Sequence, residues 1–142
     1  MNYYLKKRAM FPKHPTYNIH LYIIYRDTHY VTSSCEEKDA VAVFHEFCRA
    51  KAAGTFHAED EIIVCQLICP KGHYRLTKEY YYIDQIKYRV YKKGLFGWWW
   101  NEKHEFTKCA PMDEKMSEAL EKFVNEGVKH LNRIDDELIA TC

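Results

Sequence analysis

Tyr88-Arg89-Val90-Tyr91-Lys92-Lys93-Gly94-Leu95-Phe96-Gly97-Trp98-Trp99-Trp100 decides how the second half of the chain is read. Basic and apolar residues alternate up to Lys93, two glycines bracket Leu95-Phe96, and all three tryptophans of the chain follow side by side. Period-two alternation, a glycine-rich break and an aromatic run predict strand, turn and strand. Successive side chains on a strand point to opposite faces, so the triplet cannot send every indole into one core. Trp99 should point away from Trp98 and Trp100, and it is expected to be the exposed ring.

Upstream, Glu61 to Cys69 is an apolar, β-rich run ended by Pro70-Lys71-Gly72, good turn chemistry. His73 to Tyr82, Ile86 to Lys92 and Trp98 to Lys108 alternate well enough to extend it into an antiparallel meander. Nearer the start, Ile19, Leu21, Ile23 and Tyr25 alternate with His20, Tyr22 and Ile24. Asp27-Thr28 then turns the chain into His29 to Ser33, a hairpin. Ser34 with Glu37 three residues on forms a capping box, and Ala40, Val43, Phe44, Phe47 and Cys48 recur at helical spacing up to Gly54. Met1 to Thr16, with Pro12 and Pro15, has no period and reads as an extended arm.

From Asp113, a capping residue, Met116, Leu120, Phe123, Gly127, Leu131, Ile134 and Leu138 recur every three or four residues, predicting a second helix. About 26 residues at 1.5 Å each reach about 39 Å, longer than a small sheet covers. Gly127 permits close approach of another backbone, so Gly127, Leu131, Ile134 and Leu138 are expected to form the seam of a homodimer. The predicted fold class is α+β: an antiparallel sheet of five or six strands with two helices on one face, in the order β-β-α-β-β-β-β-α. One domain over residues 1–142 is expected, since a chain of this size buries roughly 70% of its unfolded surface.

The formal net charge of +1 gives no global argument for nucleic acid, but the charge is unevenly spread. Between Lys71 and Lys93 seven basic residues face two acids, whereas Asp113 to Glu137 holds eight acids and four bases. No apolar run is long enough for a signal peptide or a membrane span, so a cytoplasmic protein with no membrane partner is expected. The six cysteines are then expected to be reduced thiols, several of them packed as small hydrophobes.

Four groupings carry candidate chemistry. Cys65-x3-Cys69-x3-His73, with Cys109 or His57 as recruits, offers zinc-ligand types. Residues four apart on a strand lie about 13 Å apart, however, so no metal and no cofactor are expected. His45 and Cys48 share a helical face, but Cys48 lies on the apolar stripe, where burial keeps a thiol protonated. Asp60 or Glu61 followed by Gln85-Ile86-Lys87 is similar to the acid and Gln-x-Lys pattern of restriction-like nucleases, which hold Mg²⁺; a further acid on a helix is missing. A two-histidine phosphoesterase needs paired His-x-Thr/Ser strands. His29 has its Thr32 one residue too late, and His73 has no hydroxyl two positions on.

The fourth grouping is Lys87, Arg89, Tyr91, Lys92, Lys93, Phe96, Trp98 and Trp99, the predicted partner-binding set. Tryptophan, tyrosine and arginine are enriched at protein hot spots, and cations interleaved with flat rings also suit single-stranded nucleic acid. The competing reading is an ordinary half-buried sheet with Tyr88, Val90, Trp98 and Trp100 inside. The run from Tyr88 to Trp100, followed by Phe106 and a charged amphipathic stretch, resembles the strand-loop-strand-helix endings of small accessory proteins of bacteriophages and mobile elements. That resemblance covers the last third of the chain, implies binding to a host or defence component, and transfers no catalytic residue. The expected function is therefore a non-enzymatic protein-binding module, with single-stranded nucleic-acid binding and a Mg²⁺-dependent nuclease as alternatives.

Overall fold

The computed structural model describes residues 1–11, 16, 18–109 and 136–142, and of 101–109 the backbone only. The described residues form nine strands and one helix in two antiparallel sheets. The α+β class holds, while the strand number exceeds the five or six expected and one of the two expected helices is present among the described residues. The chain divides into two compact units, Met1–Cys48 with Pro111–Cys142, and Arg49–Ala110.

The first unit contains β1 (Tyr3–Ala9), β2 (His20–Arg26), β3 (His29–Ser34) and β9 (Glu137–Thr141), in the spatial order β3-β2-β1-β9. The hairpin of β2 and β3 forms as expected, with Asp27 in the left-handed region at its turn. The N-terminal arm does not: Tyr3 to Ala9 pair with Arg26 to His20 on one side and with β9 on the other. Lys6, Lys7 and Arg8 obscure a period-two pattern in which Tyr3 and Leu5 are fully buried. Both faces of β2 are covered, from Leu21 through Tyr25.

Helix α1 (Glu37–Ala53) starts close to where the sequence places it. Ser34 Oγ accepts the Glu36 backbone N–H at 3.0 Å, and the first helical bond runs from Ala40 N–H to Glu36 C=O, so Glu36 is the N-cap, two residues later than a capping box of Ser34 with Glu37 places it. Ala40, Val43, Phe44 and Phe47 are buried, and the Phe47 ring stacks on Tyr3 at 5.1 Å. The helix stops at Gly54 (φ 64°), where Gly54 N–H reaches Lys51 C=O and Thr55 N–H reaches Ala50 C=O. This paired closure satisfies two otherwise orphaned carbonyls and needs a residue without a Cβ penalty.

Two expectations about the C-terminal region are corrected. Leu138, placed on the dimer seam, lies in β9 opposite Lys6, so the helix does not continue to it. Gly127, Leu131 and Ile134 fall outside the described residues. Cys48, expected as a reduced core thiol, is joined to Cys142 in a disulfide with Cα atoms 5.9 Å apart. Tyr3 and Cys142 exchange backbone N–H···O=C bonds, which carries the pairing of β1 and β9 on to Cys142. Arg8, also in β1, grips Asp136 with two 2.7 Å bonds, and the Asp136 side chain is 1% exposed. Arg8 also donates to the Tyr25 hydroxyl at 3.3 Å.

The second unit is a consecutive meander: β4 (Phe56–Ala58), β5 (Glu61–Cys69), β6 (Gly72–Tyr82), β7 (Gln85–Lys93) and β8 (Trp99–Cys109), in that spatial order. The last four match the predicted strands to within a residue or two.

Two stability outcomes follow for the first unit. Asp136→Ala removes the carboxylate that meets the buried Arg8 guanidinium with two 2.7 Å bonds, and should lower the unfolding free energy by about 3–5 kcal/mol in denaturant titration. Cys142→Ser opens a cross-link between residues 94 apart in sequence and should cost about 2–4 kcal/mol in the same assay. Wild-type protein in reductant should reproduce that loss, and a non-reducing peptide map should link the Cys48 and Cys142 peptides.

Candidate binding site on the second sheet

Register carries the chemistry to one face of the second sheet. Opposed residues in antiparallel strands share a face, so the pairings Ile63↔Thr77↔Arg89 and Gln66↔Arg75↔Tyr91 bring rows from β5, β6 and β7 together. Glu61, two residues before Ile63, joins them and is 5% exposed. Its Oε1 accepts hydrogen bonds from the Thr77 hydroxyl and, at 2.8 Å, from the Tyr91 hydroxyl. Arg89 Nη1 lies 3.7 Å from the same oxygen and 2.7 Å from Glu79 Oε2. A buried carboxylate is tolerated only with such partners. Burial, reinforced by the Glu61 hydrogen bond and charge, pushes the Tyr91 phenol up to about 12.

An aromatic and cationic cluster adjoins this network. The His57 ring lies 4.2 Å from the Tyr91 ring and meets Trp99 edge-on at 6.4 Å. His73 meets Trp99 edge-on at 4.9 Å, and the Arg75 guanidinium lies 3.9 Å above the indole, a cation–π contact. Gln66 Oε1 accepts from Arg75 Nε at 3.3 Å and is 3.0 Å from His73 Nε2. Trp99 is thereby held from three directions.

The tryptophan expectation is reversed in its faces. Trp99 does point opposite to its neighbours, but it is the half-buried ring, whereas Trp98 is 71% and Trp100 66% exposed. Leu95 and Phe96 stand fully out, at 102% and 90%. Their loop is ordered by Gly94 N–H to Trp98 C=O at 2.6 Å and Gly97 N–H to Gly94 C=O at 3.1 Å, with Gly97 at φ 82°. A Cβ on Gly94 would come within 2.6 Å of Trp100 Nε1, so glycine there admits the indole. The half-buried-sheet reading holds for Tyr88 and Val90, which are half-buried, and fails for Trp98 and Trp100, which are not inside.

Of the predicted partner-binding residues, Lys87, Arg89, Tyr91, Lys93 and Trp99 share the clustered face by register. Lys87 lies 4.8 Å from the Tyr81 ring, and Lys92 lies over Tyr74 on the opposite face. Lys93, Phe96 and Trp98 are exposed at the hairpin end. Gln66, Arg75 and Thr77 are not among the site residues expected from the sequence, and His73 figures there only as a candidate zinc ligand or phosphoesterase histidine. The two-residue spacing of His73, Arg75 and Thr77 in β6 is visible in the sequence, but the register breaks at Ile63/Cys65 and Arg89/Tyr91 that bring Gln66 of β5 and the residues of β8 beside them are not.

The other groupings do not assemble. Cys65 opposes Leu76 and Cys69 opposes Gly72, while His73 turns to Gln66. Among the described residues no three His, Cys, Asp or Glu side chains gather as a metal site. Cys48 is a half-cystine, so it offers no thiolate to His45. Glu61 is engaged by Thr77 and Tyr91, and Lys87 by Tyr81, so the acid and Gln-x-Lys arrangement gains no support. Among the described residues no helix is long and apolar enough to cross a membrane. Comparison with protein-family models, curated proteins and solved structures finds no match to this chain.

The Tyr91 phenol sets a pH dependence. Its folded pKa of about 12 lies above the ordinary 10, so the neutral form is favoured by folding. The stability it contributes is complete below pH 10 and is lost as pH rises towards 12. Tyr91→Phe should flatten that part of the stability-versus-pH curve in thermal melts. Glu61→Ala should lower stability by about 1–3 kcal/mol at neutral pH by stranding the Tyr91 and Thr77 hydroxyls.

Proposed function

We propose that the chain is a non-enzymatic protein-binding module, of the accessory kind by which a phage or mobile element engages a host or defence protein. Its contact surface is the face of β6, β7 and β8 around Arg75, Arg89, Tyr91 and Trp99. The observation that carries this reading is the Arg75–Trp99 stack, held by Gln66 and flanked by His73 and His57. Arginine, tyrosine and tryptophan dominate hot spots, and side chains already locked before association lose little entropy on binding.

Single-stranded nucleic acid is the second reading, favoured by the absence of any acid from Gln85 to Asn101 beside four bases. Salt separates the two, since phosphate contacts release counterions and weaken steeply with ionic strength. A cytoplasmic site of action belongs to the first reading and places the Cys48–Cys142 pair in a reducing medium, where such bonds are rare. A non-reducing peptide map of protein taken from cells decides that point.

Affinity capture from a host lysate should recover a protein partner equally with and without nuclease. Arg75→Ala leaves the Glu61 network in place and should weaken that capture about tenfold or more with little change in melting temperature. Trp99→Ala should lose capture and some stability together. Recovery abolished by nuclease, or unaffected by Arg75→Ala, contradicts the proposal.

A further inference from the structure

The end of the second sheet away from the Tyr82–Gln85 turn has a composition that the protein-binding face does not account for. The pairings Cys69↔Gly72 and Lys93↔Trp99 close two hairpins, and Tyr74↔Lys92 sets them side by side, so both turns emerge at one end. Leu67 and Trp100 lie in one cross-strand row, Leu67↔Tyr74↔Lys92↔Trp100, on one face. Ile68, opposite His73, lies on the other face, while Leu95, Phe96 and Trp98 stand out from the loop between β7 and β8. All six are exposed. Apolar surface therefore wraps the sheet end on both faces and over its tip.

A rigid partner laid on one face would leave the other face and the tip in water. A fluid interface surrounds all of them. Among the residues whose side chains are described, the charge at this end is basic: no acid occurs from Ile62 to Lys78 or from Gln85 to Trp100, while Lys71 occupies one turn and Lys92 and Lys93 adjoin the other. Lys92 extends past Gly72, where a Cβ would meet its Cε at 2.9 Å, so its stem covers the gap between the hairpins. Exposed indoles suit the headgroup layer of a bilayer, leucine and phenylalanine suit the acyl boundary beneath it, and lysine ammoniums suit anionic lipid phosphates.

We propose that the ends of the β5–β6 and β7–β8 hairpins dock on an anionic lipid surface. Leu95 and Phe96 enter the acyl boundary, Trp98 and Trp100 lie at headgroup level, and Lys71 and Lys93 contact lipid phosphate. The chain rests on the membrane through this tip without spanning it, which replaces the expectation of no membrane partner. This goes beyond the protein-binding reading, and Ile68 and Lys93 of the tip border the Arg75–Trp99 face that takes that partner.

The test is co-sedimentation of the full chain with vesicles of phosphatidylcholine alone and of equal parts phosphatidylcholine and phosphatidylserine, with tryptophan emission followed in parallel. The wild type should sediment with the phosphatidylserine vesicles and shift its emission to the blue. The Leu95→Ser, Phe96→Ser double variant alters two side chains that stand fully in solvent, so the fold is not at stake; its vesicle affinity should fall about tenfold or more. Lys71→Glu with Lys93→Glu should remove the preference for phosphatidylserine. Failure of the wild type to sediment with either vesicle, or wild-type binding by the Leu95/Phe96 variant, overturns the proposal. Loss of protein capture in that variant without any vesicle binding assigns the tip to a protein instead and also overturns it. Arg75→Ala should bind vesicles as the wild type does, so failure of the protein-binding reading is scored separately.

Discussion

A carboxylate shut between three strands governs the second unit. Glu61 is removed from water, and its Oε1 is answered by Thr77 of β6 and Tyr91 of β7, with Arg89 close by. Each of those groups reaches it only if β5, β6 and β7 keep one register, because a slip of one residue turns the partners to the other face. Buried charge is weak evidence for net stability, since desolvation offsets much of the attraction. Its consequence here is positional. Tyr91, fixed by Glu61, is the surface against which His57 rests, and His57 with His73 and Arg75 encloses Trp99.

The first unit uses the same device at a different place. Asp136 meets the buried Arg8 of β1 with both oxygens, and that pair anchors the segment leading into β9. The disulfide between Cys48 of α1 and Cys142 fastens the far end of the same strand. A strand of five residues on a sheet edge has few backbone bonds of its own, so these two links, 128 and 94 residues apart in sequence, carry much of its attachment.

The parts legible in the sequence are those governed by neighbours along the chain. The strands of the meander, the turn at Pro70–Gly72 and helix α1 with its Gly54 stop all follow from local period and capping chemistry. What escaped depends on distant partners. Strand β1 carries three consecutive bases that belong to a loop on composition and enter a sheet because Arg8 finds Asp136. Leu138 continues a helical spacing from Leu131 and Ile134, and nothing local distinguishes that from a strand beginning at Glu137. Alternation correctly set Trp99 against Trp98 and Trp100, but the choice of inner face was made by Gln66, His73 and Arg75 on two other strands. No periodicity within 88–100 contains that information.

The central claim is that the ordered face around Arg75 and Trp99 is a protein contact surface. A photo-crosslinking residue placed at Lys93, exposed beside that face, and another at Lys38, exposed on α1, provide the most direct measurement when the chain is expressed in host cells and irradiated. The account predicts a discrete protein adduct from position 93 that survives nuclease digestion and is absent from position 38. Adducts that collapse on nuclease treatment, or equal yields at the two positions, would contradict it.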